Sequence, residues 1–468
     1  MTSVRDVLKR LPENVRQALA NELLSMNGTV PDEAPPPSDE AIMAALGALA
    51  AEEQQTRRRV VVTGMGAVTP VGNTAQETWE ALIEGKSGIG PVTQFDVSPY
   101  ASRIGAEIKE FDPSIRIPHK EARRMARCSQ VSVVAAYEAL EDAGLKPDDI
   151  DGDRAGVTMG TGVGGMDIFV AAIKRSAGKK KLRGRPMETI NGLPNIASFH
   201  ISNAFGFRGP LNTVVTACAA GTQSIGIALE EIRRGTADIM LAGGVEAMVS
   251  DVFYGGFEAL RATTTRNDEP TRASRPFDAE RDGFVIGEGT AILVLESLEN
   301  ALARGARIYA EVLGWGQSAD SYHAAQPDPT GSGGALAMRG ALSDAGLSID
   351  DISYINAHAA GTPLGDAHET LVIKEVFGEQ AYDIPVSSTK SMIGHCFGGA
   401  GAIEAMACIF SVFHDVVHPT VNYENPDPEC DLDYVPAVAR KTEIKAALSN
   451  SFGLGGQNAC LIVGKYLP

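Results

Sequence analysis

From residue 58 onward the sequence predicts an α/β fold, on three observations. Short β-branched runs end in Gly-rich turns, they alternate with amphipathic stretches of helical period, and the same style resumes after residue 308. Val60–Thr63 opens the pattern as a strand. Ala155–Met159 and Asp238–Leu241 follow as strands of buried type, Leu211–Thr216 reads as a strand between them, and Ala291–Leu295 closes a first half spanning 58–307. The second half, 308–468, holds strands at Ile352–Asn356, Val386–Ser388, Ala446–Leu448 and Ala459–Val463, with helices expected at Gly334–Ala345 and Ala400–Phe413. Self-similarity between the halves is too weak at the level of residues to prove a duplication.

Residues 1–57 differ from the rest. Val4, Leu8, Leu11, Val15, Leu19 and Leu23 recur at helical spacing, three prolines follow at Pro35, Pro36 and Pro37, and a second Ala-rich helical stretch runs from Asp39 to Gln54. This is a helical extension. It lacks an apolar signal core, and its acids are unlike a transit peptide. A docking or regulatory element and a poorly ordered extension are both compatible with it.

Composition bounds the function. The 468 residues are 44% hydrophobic and 21% charged, as in a soluble globular chain, and the 50 glycines imply many tight turns. A formal charge of -18 repels nucleic acid and anionic membranes alike. The six cysteines contain no C-x-x-C pair, so neither a zinc site nor a disulfide framework is expected, and a reducing compartment fits. No apolar run reaches the roughly 18 residues of a membrane span; Glu404 interrupts the most apolar one, Gly398–Phe413.

Four places carry chemistry. Leu211–Thr216 reads as a strand and Ala219–Arg234 as a helix stopped by Gly235, so Cys218 stands at a strand-to-helix junction. The helix dipole and free N–H groups there lower a thiol pKa and hold an oxyanion, which a nucleophile requires. A small buried cysteine is the bland alternative, but the small neighbours Ala217, Ala219, Ala220 and Gly221 leave space around the sulfur. His358 follows the strand Ile352–Asn356, and His395 lies in K-S-M-I-G-H-C-F-G-G-A-G, with Lys390 five positions before it and Glu404 early in the next helix. A cation, a proton carrier and a carboxylate thus concentrate locally. Ser449–Asn458, S-N-S-F-G-L-G-G-Q-N, reads as a Gly-rich loop between strands that either presents N–H groups to developing charge or simply turns. G-T-G-V-G-G at Gly160–Gly165 is a weak dinucleotide signal, lacking the acidic residue about 20 positions on.

Taken together, V-T-A-C-A-A-G, N-A-H-A-A-G-T-P-L-G-D, K-S-M-I-G-H and N-S-F-G-L-G-G-Q-N, with R-P-F-D-A-E-R-D-G-F-V-I-G-E-G between them, resemble the β-ketoacyl-[acyl carrier protein] synthases over Val60–Tyr466. The resemblance is to elongating synthases of dissociated fatty-acid synthesis, including plastid forms, and P-L-G-D is also similar to polyketide ketosynthases. It implies a thiolase-like fold, five layers α-β-α-β-α from two similar halves, in a homodimer. It implies that Cys218 carries the acyl chain, that His358 and His395 assist malonyl decarboxylation, and that Lys390 and Glu404 order the pair. Backbone N–H groups of Cys218 and Leu454 would form the oxyanion hole, Thr362 would bind the phosphopantetheine arm, and Val163 would end the acyl pocket. Acyl carrier protein would dock on Lys120, Arg123 and Arg124, at the start of a helix leading into Val131–Ala143, with Lys179, Lys180, Lys181, Arg183 and Arg185 as the other basic run. No metal or redox cofactor is implied, and the setting is soluble, in cytoplasm or plastid stroma. Two positions depart from the family: Leu454 stands where a gating Phe is usual, and Ala360 where a Thr is usual. A ketosynthase-like scaffold or chain-length partner subunit is the competing expectation, disfavoured because Cys218, His358 and His395 are all present.

Overall fold

The computed structural model describes residues 57–181 and 184–468. The helices expected in the extension, and Arg183, lie outside the described residues. Ten strands, numbered in chain order, form the main sheet: β1 (Val60–Val68), β2 (Ala155–Gly160), β3 (Leu211–Val214), β4 (Ile239–Glu246), β5 (Gly289–Ser297), β6 (Ala310–Ala319), β7 (Ile352–Asn356), β8 (Val386–Ser387), β9 (Ala446–Gly453) and β10 (Gln457–Gly464). β1, β2, β4 and β5 are buried at every residue, so these strands need no polar alternation.

Across the sheet the order is β8-β7-β9-β10-β6-β1-β5-β4-β2-β3. Each half therefore repeats one topology: β3-β2-β4-β5-β1 becomes β8-β7-β9-β10-β6 when five is added to each label. The two meet at a short seam, where β1 and β6 pair only through Val61 with Glu311 and Val62 with Ala310.

Helices complete the five thiolase-like layers. α1 (Arg127–Asp142) and α2 (Ile196–Phe205) cover one outer face, sharing a core with β2, β4 and β5. α4 (Ser332–Ala345) and α5 (Pro363–Phe377) cover the opposite outer face, against β7, β9 and β10. Between the two five-strand sets lie α3 (Ala220–Arg233) and α6 (Ala400–His414), whose Ile225, Leu229, Ile403 and Met406 share a single core. α6 is buried from Ala400 to Val412, so it is apolar on all sides. The stretch Phe397–His414 is long and apolar enough to cross a membrane by composition, but 89% of it is buried inside the fold.

Glycine explains where the strands outrun their apolar runs. A Cβ on Gly66 of β1 would stand 2.0 Å from Ala135 O of α1, and one on Gly316 of β6 would stand 2.2 Å from Ala337 O of α4. Each half uses glycine on its first strand to bring a helix close. This is why β6, a Gly- and Trp-containing segment, carries no β-branched signature and is absent from the strands read in the sequence.

Several boundaries are corrected. Leu211–Thr216 ends as a strand at Val214, because the chain must break into the turn that carries Cys218. The helix expected to lead from Lys120 into Val131–Ala143 is two helices, His119–Ala122 and Arg127–Asp142, with Arg123 and Arg124 in the turn between them. Ser449–Asn458 is mostly strand: β9 runs to Gly453 and β10 starts at Gln457, leaving Leu454–Gly456 as a tight turn with Gly455 and Gly456 at positive φ.

Candidate active site

Cys218 is held in a sharp junction. β3 stops, Ala217 takes the left-handed conformation at φ 49°, a 3-10 turn spans Ala217–Ala219, and α3 begins at Ala220. Gly453 lies alongside: a Cβ there would come within 3.3 Å of Cys218 N and cover it. The Leu454 N–H donates to the sulfur.

The thiol is not lowered, as its helix-start position suggests, but raised. Burial pushes it up to about 11, with the Leu454 N–H and the Lys390 ammonium pulling back. Desolvation of the thiolate outweighs the positive helix end at a residue 3% exposed. The buried Cys128, Cys396 and Cys408 are pushed further, so Cys218 is the easier of these to ionise.

His395 Nε2 lies 3.0 Å from Cys218 Sγ, and the Phe397 N–H donates to His395 Nδ1 at 3.2 Å. An Nδ1 that accepts leaves the proton on Nε2, so His395 points a donor at the sulfur. His358 is wired the same way, with Lys390 Nζ donating to its Nδ1 at 3.4 Å. The two rings stand 5.4 Å apart and nearly perpendicular. Burial first, then the Lys390 charge, holds both imidazoles well below the ordinary histidine range, and the neighbouring His395 lowers His358 further. Both are neutral donors at neutral pH.

Behind them the fully buried Lys390 is paired to the fully buried Glu404. Burial raises the Glu404 carboxyl, opposed by the Lys390 ammonium. Thus all five residues that the sequence singled out here, from two halves of the chain, come together. Sequence reading missed two further carboxylates. Glu369 accepts from His358 N at 2.8 Å, Ala359 N at 2.7 Å and Asn450 Nδ2 at 3.0 Å, and burial lifts it to about 7. Glu246, also lifted by burial to about 7, accepts from Gly162 N at 2.7 Å and from Val163 N and Gly398 N at 3.4 Å. Those N–H groups of the G-T-G-V-G-G turn are therefore occupied by a carboxylate, which disposes of a phosphate site there. The one signal available was Asp366 and Glu369, three apart on α5 and buried, which marks one face of that helix as turned toward the site loop.

A cavity of about 560 Å³ opens on Cys218, His358 and His395, and is lined also by Thr362, Leu454, Phe284 and Phe397. Leu454 is 42% exposed at its wall. Ala360 packs with Cys218, and Thr362 Oγ1 accepts from Gly365 N at 3.2 Å to cap α5 while its hydroxyl proton stays available. The loop bearing Thr362 is fastened by Asp366, which accepts from Gly361 N and Thr362 N at 3.2 Å, and by Arg281, which donates to the Thr362 and Pro363 carbonyls. Val163 does not line the cavity; it lies half-buried on the Glu246-bound turn. Lys120, Arg123 and Arg124 are exposed and border a second, surface cavity with Arg185. Cys218 Sγ and the two ring nitrogens lie within 4.8 Å of one another, a spacing metal ligands share. The tautomers oppose it: an Nε2 that keeps its proton donates and cannot ligate.

A buried cysteine at a helix start, facing two neutral imidazole donors and the Leu454 N–H, on a thiolase-like fold, defines an acyl-transferring enzyme of thioester chemistry. The chain belongs to the β-ketoacyl synthase family. It matches the family's Beta-ketoacyl synthase, N-terminal domain, over residues 57–301 and its C-terminal domain over 309–424. It is 48% identical over 407 residues to a 3-oxoacyl-[acyl-carrier-protein] synthase 2 of Synechocystis sp., covering 87% of this chain and 98% of that one. A protein of the same description from Staphylococcus aureus is 47% identical over the same shares. Among solved structures, the ishigamide ketosynthase/chain length factor aligns with a TM-score of 0.83 at 38% identity, covering 88% of this chain and 100% of that one. A type II polyketide-synthase acyl-carrier protein in complex with its ketosynthase, bound to the hexaketide, aligns at 0.81 and 36%, with the same coverage.

Proposed function

We propose that this chain is an elongating β-ketoacyl-[acyl carrier protein] synthase, which joins an acyl group held on Cys218 to malonyl-[acyl carrier protein] by decarboxylative Claisen condensation. The observation that carries the reading is the pair of Nε2–H donors beside a cysteine whose sulfur meets the Leu454 N–H. In the first step Cys218 Sγ attacks the acyl thioester, its bond to carbon forms as the carrier's sulfur–carbon bond breaks, and the thiol proton passes to the departing pantetheine. The malonyl thioester then loses carbon dioxide, and its enolate oxygen accepts from His358 and His395. The carbanion attacks the acyl-Cys218 carbonyl. The resulting oxyanion accepts from Cys218 N–H and Leu454 N–H before its collapse breaks the carbon–sulfur bond and expels the Cys218 thiolate, which takes a proton from solvent. Lys390, paired to Glu404, holds His358 in its donor tautomer, as the Phe397 N–H does for His395. These steps make and break bonds that need neither metal nor redox cofactor, since the substrates ride on phosphopantetheine, whose arm Thr362 binds.

Acyl carrier protein docks on Lys120, Arg123 and Arg124, whose exposed charges suit an acidic partner on a chain of net charge -18. The chain works as a homodimer: β3 is an edge strand of the sheet with Leu211 48% exposed, and Val215 and Phe199 are exposed beside it. It acts as a soluble enzyme of cytoplasm or plastid stroma, its domains an extension at 1–57 and catalytic halves at 58–307 and 308–468. A polyketide ketosynthase is the second reading, favoured by the 36% identity to the hexaketide-bound ketosynthase complex and outweighed by the 48% identity to a fatty-acid type synthase. Incubation with malonyl-carrier and acyl-carriers of graded length, with mass spectrometry of products, tests it. One condensation per acyl chain is expected; repeated extension without reduction would favour the polyketide reading, and binding without turnover would leave only a scaffold.

A further inference from the structure

The wall beside the nucleophile is aromatic. Phe397, in the left-handed region at φ 41°, stacks on His395 with ring centres 4.6 Å apart and on Phe257 at 5.3 Å. Phe284 meets His395 and Phe397 edge-on, at 5.5 and 5.8 Å. Behind Phe397 stands Phe253, edge-on to it at 5.4 Å and to Phe257 at 5.6 Å. Phe257, Phe284 and Phe397 line the cavity that opens on Cys218, whereas Phe253 does not, and neither do Val249 and Val163. Phe397 thus forms part of the wall beside the sulfur, with the Phe253 ring packed behind it.

The two rings differ in what holds them. Phe397 is fixed through its own backbone: its N–H donates to His395 Nδ1, and the next residue's N–H donates to Glu246. Moving it would disturb the catalytic imidazole. Phe253 sits in the first turn of the helix Asp251–Ala259, where Gly255 and Gly256 are exposed and its packing partner on the helix is Phe257, one turn on. A side chain of another size at 253 changes the room behind Phe397 and touches no group that takes part in the reaction.

We propose that Phe253 sets the size of the acyl group held on Cys218, by backing the Phe397 ring, and that the enzyme's acyl substrates are short chains. The inference rests on the condensing activity proposed above. It moves the chain-length stop from Val163, where the resemblance put it, to a residue nearer the sulfur. A long chain on Cys218 would need both rings to turn aside together, and close-packed rings do not yield room for one methylene at a time.

The test compares the full-length parent with Phe253→Ala and the milder Phe253→Leu. Condensation with malonyl-carrier is measured for short and long acyl-carriers, and acylation of Cys218 is read separately by intact mass without malonyl-carrier. The parent is expected to prefer short chains. In Phe253→Ala the ratio of long-chain to short-chain kcat/KM rises about tenfold or more, less in Phe253→Leu, with short-chain turnover and melting temperature near the parent's. A parent that condenses long and short chains equally, or an unchanged ratio in the folded Phe253→Leu protein, would overturn the inference while leaving the proposed function intact. A parent that condenses no acyl chain at all overturns that function, and the inference with it.

Discussion

Two junctions in the molecule share a backbone and part company in chemistry. α3 and α6 occupy equivalent places in the two halves, and each is entered through a 3-10 turn whose first residue is left-handed without being glycine: Ala217 at φ 49° and Phe397 at φ 41°. The second residue of the turn is Cys218 in one and Gly398 in the other. A Cβ on Gly398 would stand 2.4 Å from Gly162 N, so the second junction gives up its side chain to pack against the first half. The second half also places Lys390–Ile393 and His395 between its strand and its turn, which delivers the cation and an imidazole to the other half's cysteine. One elbow thus presents a thiol, while its counterpart is spent on packing and on a loop that reaches across.

Making the junctions alike breaks the comparison most severely. Cys218→Gly abolishes the acyl-enzyme, read as the loss of any acyl adduct by intact mass, while circular dichroism stays that of the parent. Next in size, His358→Ala and His395→Ala each lower malonyl decarboxylation by about 10²- to 10⁴-fold yet retain acylation of Cys218; normal decarboxylation in both would remove the donors from the scheme. The pH profile sharpens this. Both rings are held below the ordinary value of about 6.5, so the acid limb of condensation falls below that pH. The neutral rings favour the folded state above about pH 6.5, and that contribution is lost as pH falls through their lowered folded values. Glu246 and Glu369, raised to about 7, act oppositely: their contribution is full below the ordinary carboxyl value and is lost as pH rises through about 7.

Lys390→Met strands the Glu404 carboxylate and is expected to destabilise by about 3–5 kcal/mol in urea titration. Lys390→Met with Glu404→Leu should regain most of that stability and none of the activity, a split that a purely structural pair would not show. Gly398→Ala forces a Cβ into the packed junction at a cost of about 1–3 kcal/mol; an unchanged midpoint would mean the second elbow has slack. Smallest is the double reversal Arg123→Glu with Arg124→Glu, expected to raise the apparent KM for acyl-carrier about tenfold and weaken its salt dependence. A pantetheine thioester substrate should be insensitive to it, and equal carrier kinetics at all salt concentrations would move docking elsewhere.

The cluster of Cys218, His358 and His395 was legible because rare residue types stand next to small ones there, as in A-C-A-A-G and I-G-H. Ile352–Asn356 was legible to the residue, a short run buried everywhere but at Ser353. β6 was not, since Gly314 and Gly316 are required by the close approach of α4, a contact that no local pattern announces. The thiol's direction of shift was misread because a helix end is visible in sequence and burial is not. Glu246 escaped notice for a related reason: it serves N–H groups of Gly162 and Gly398, 84 and 152 positions away. The break at Arg123–Ala126 was hidden because H-K-E-A-R-R-M-A-R carries neither Pro nor Gly.

The shared central layer has a consequence for how this chain is made. Ile225, Leu229 and Ile232 of α3 bury against Ala402, Met406 and Ile409 of α6 and against β9 and β10, all from the far end of the chain. While the ribosome is still adding the second half, the first has no cover for that greasy helix. Its final seal is β10, Gln457–Gly464. A nascent first half must therefore wait with its middle exposed until β9 and β10 have been made. A stop codon anywhere before β9 yields a sticky fragment rather than a smaller working protein.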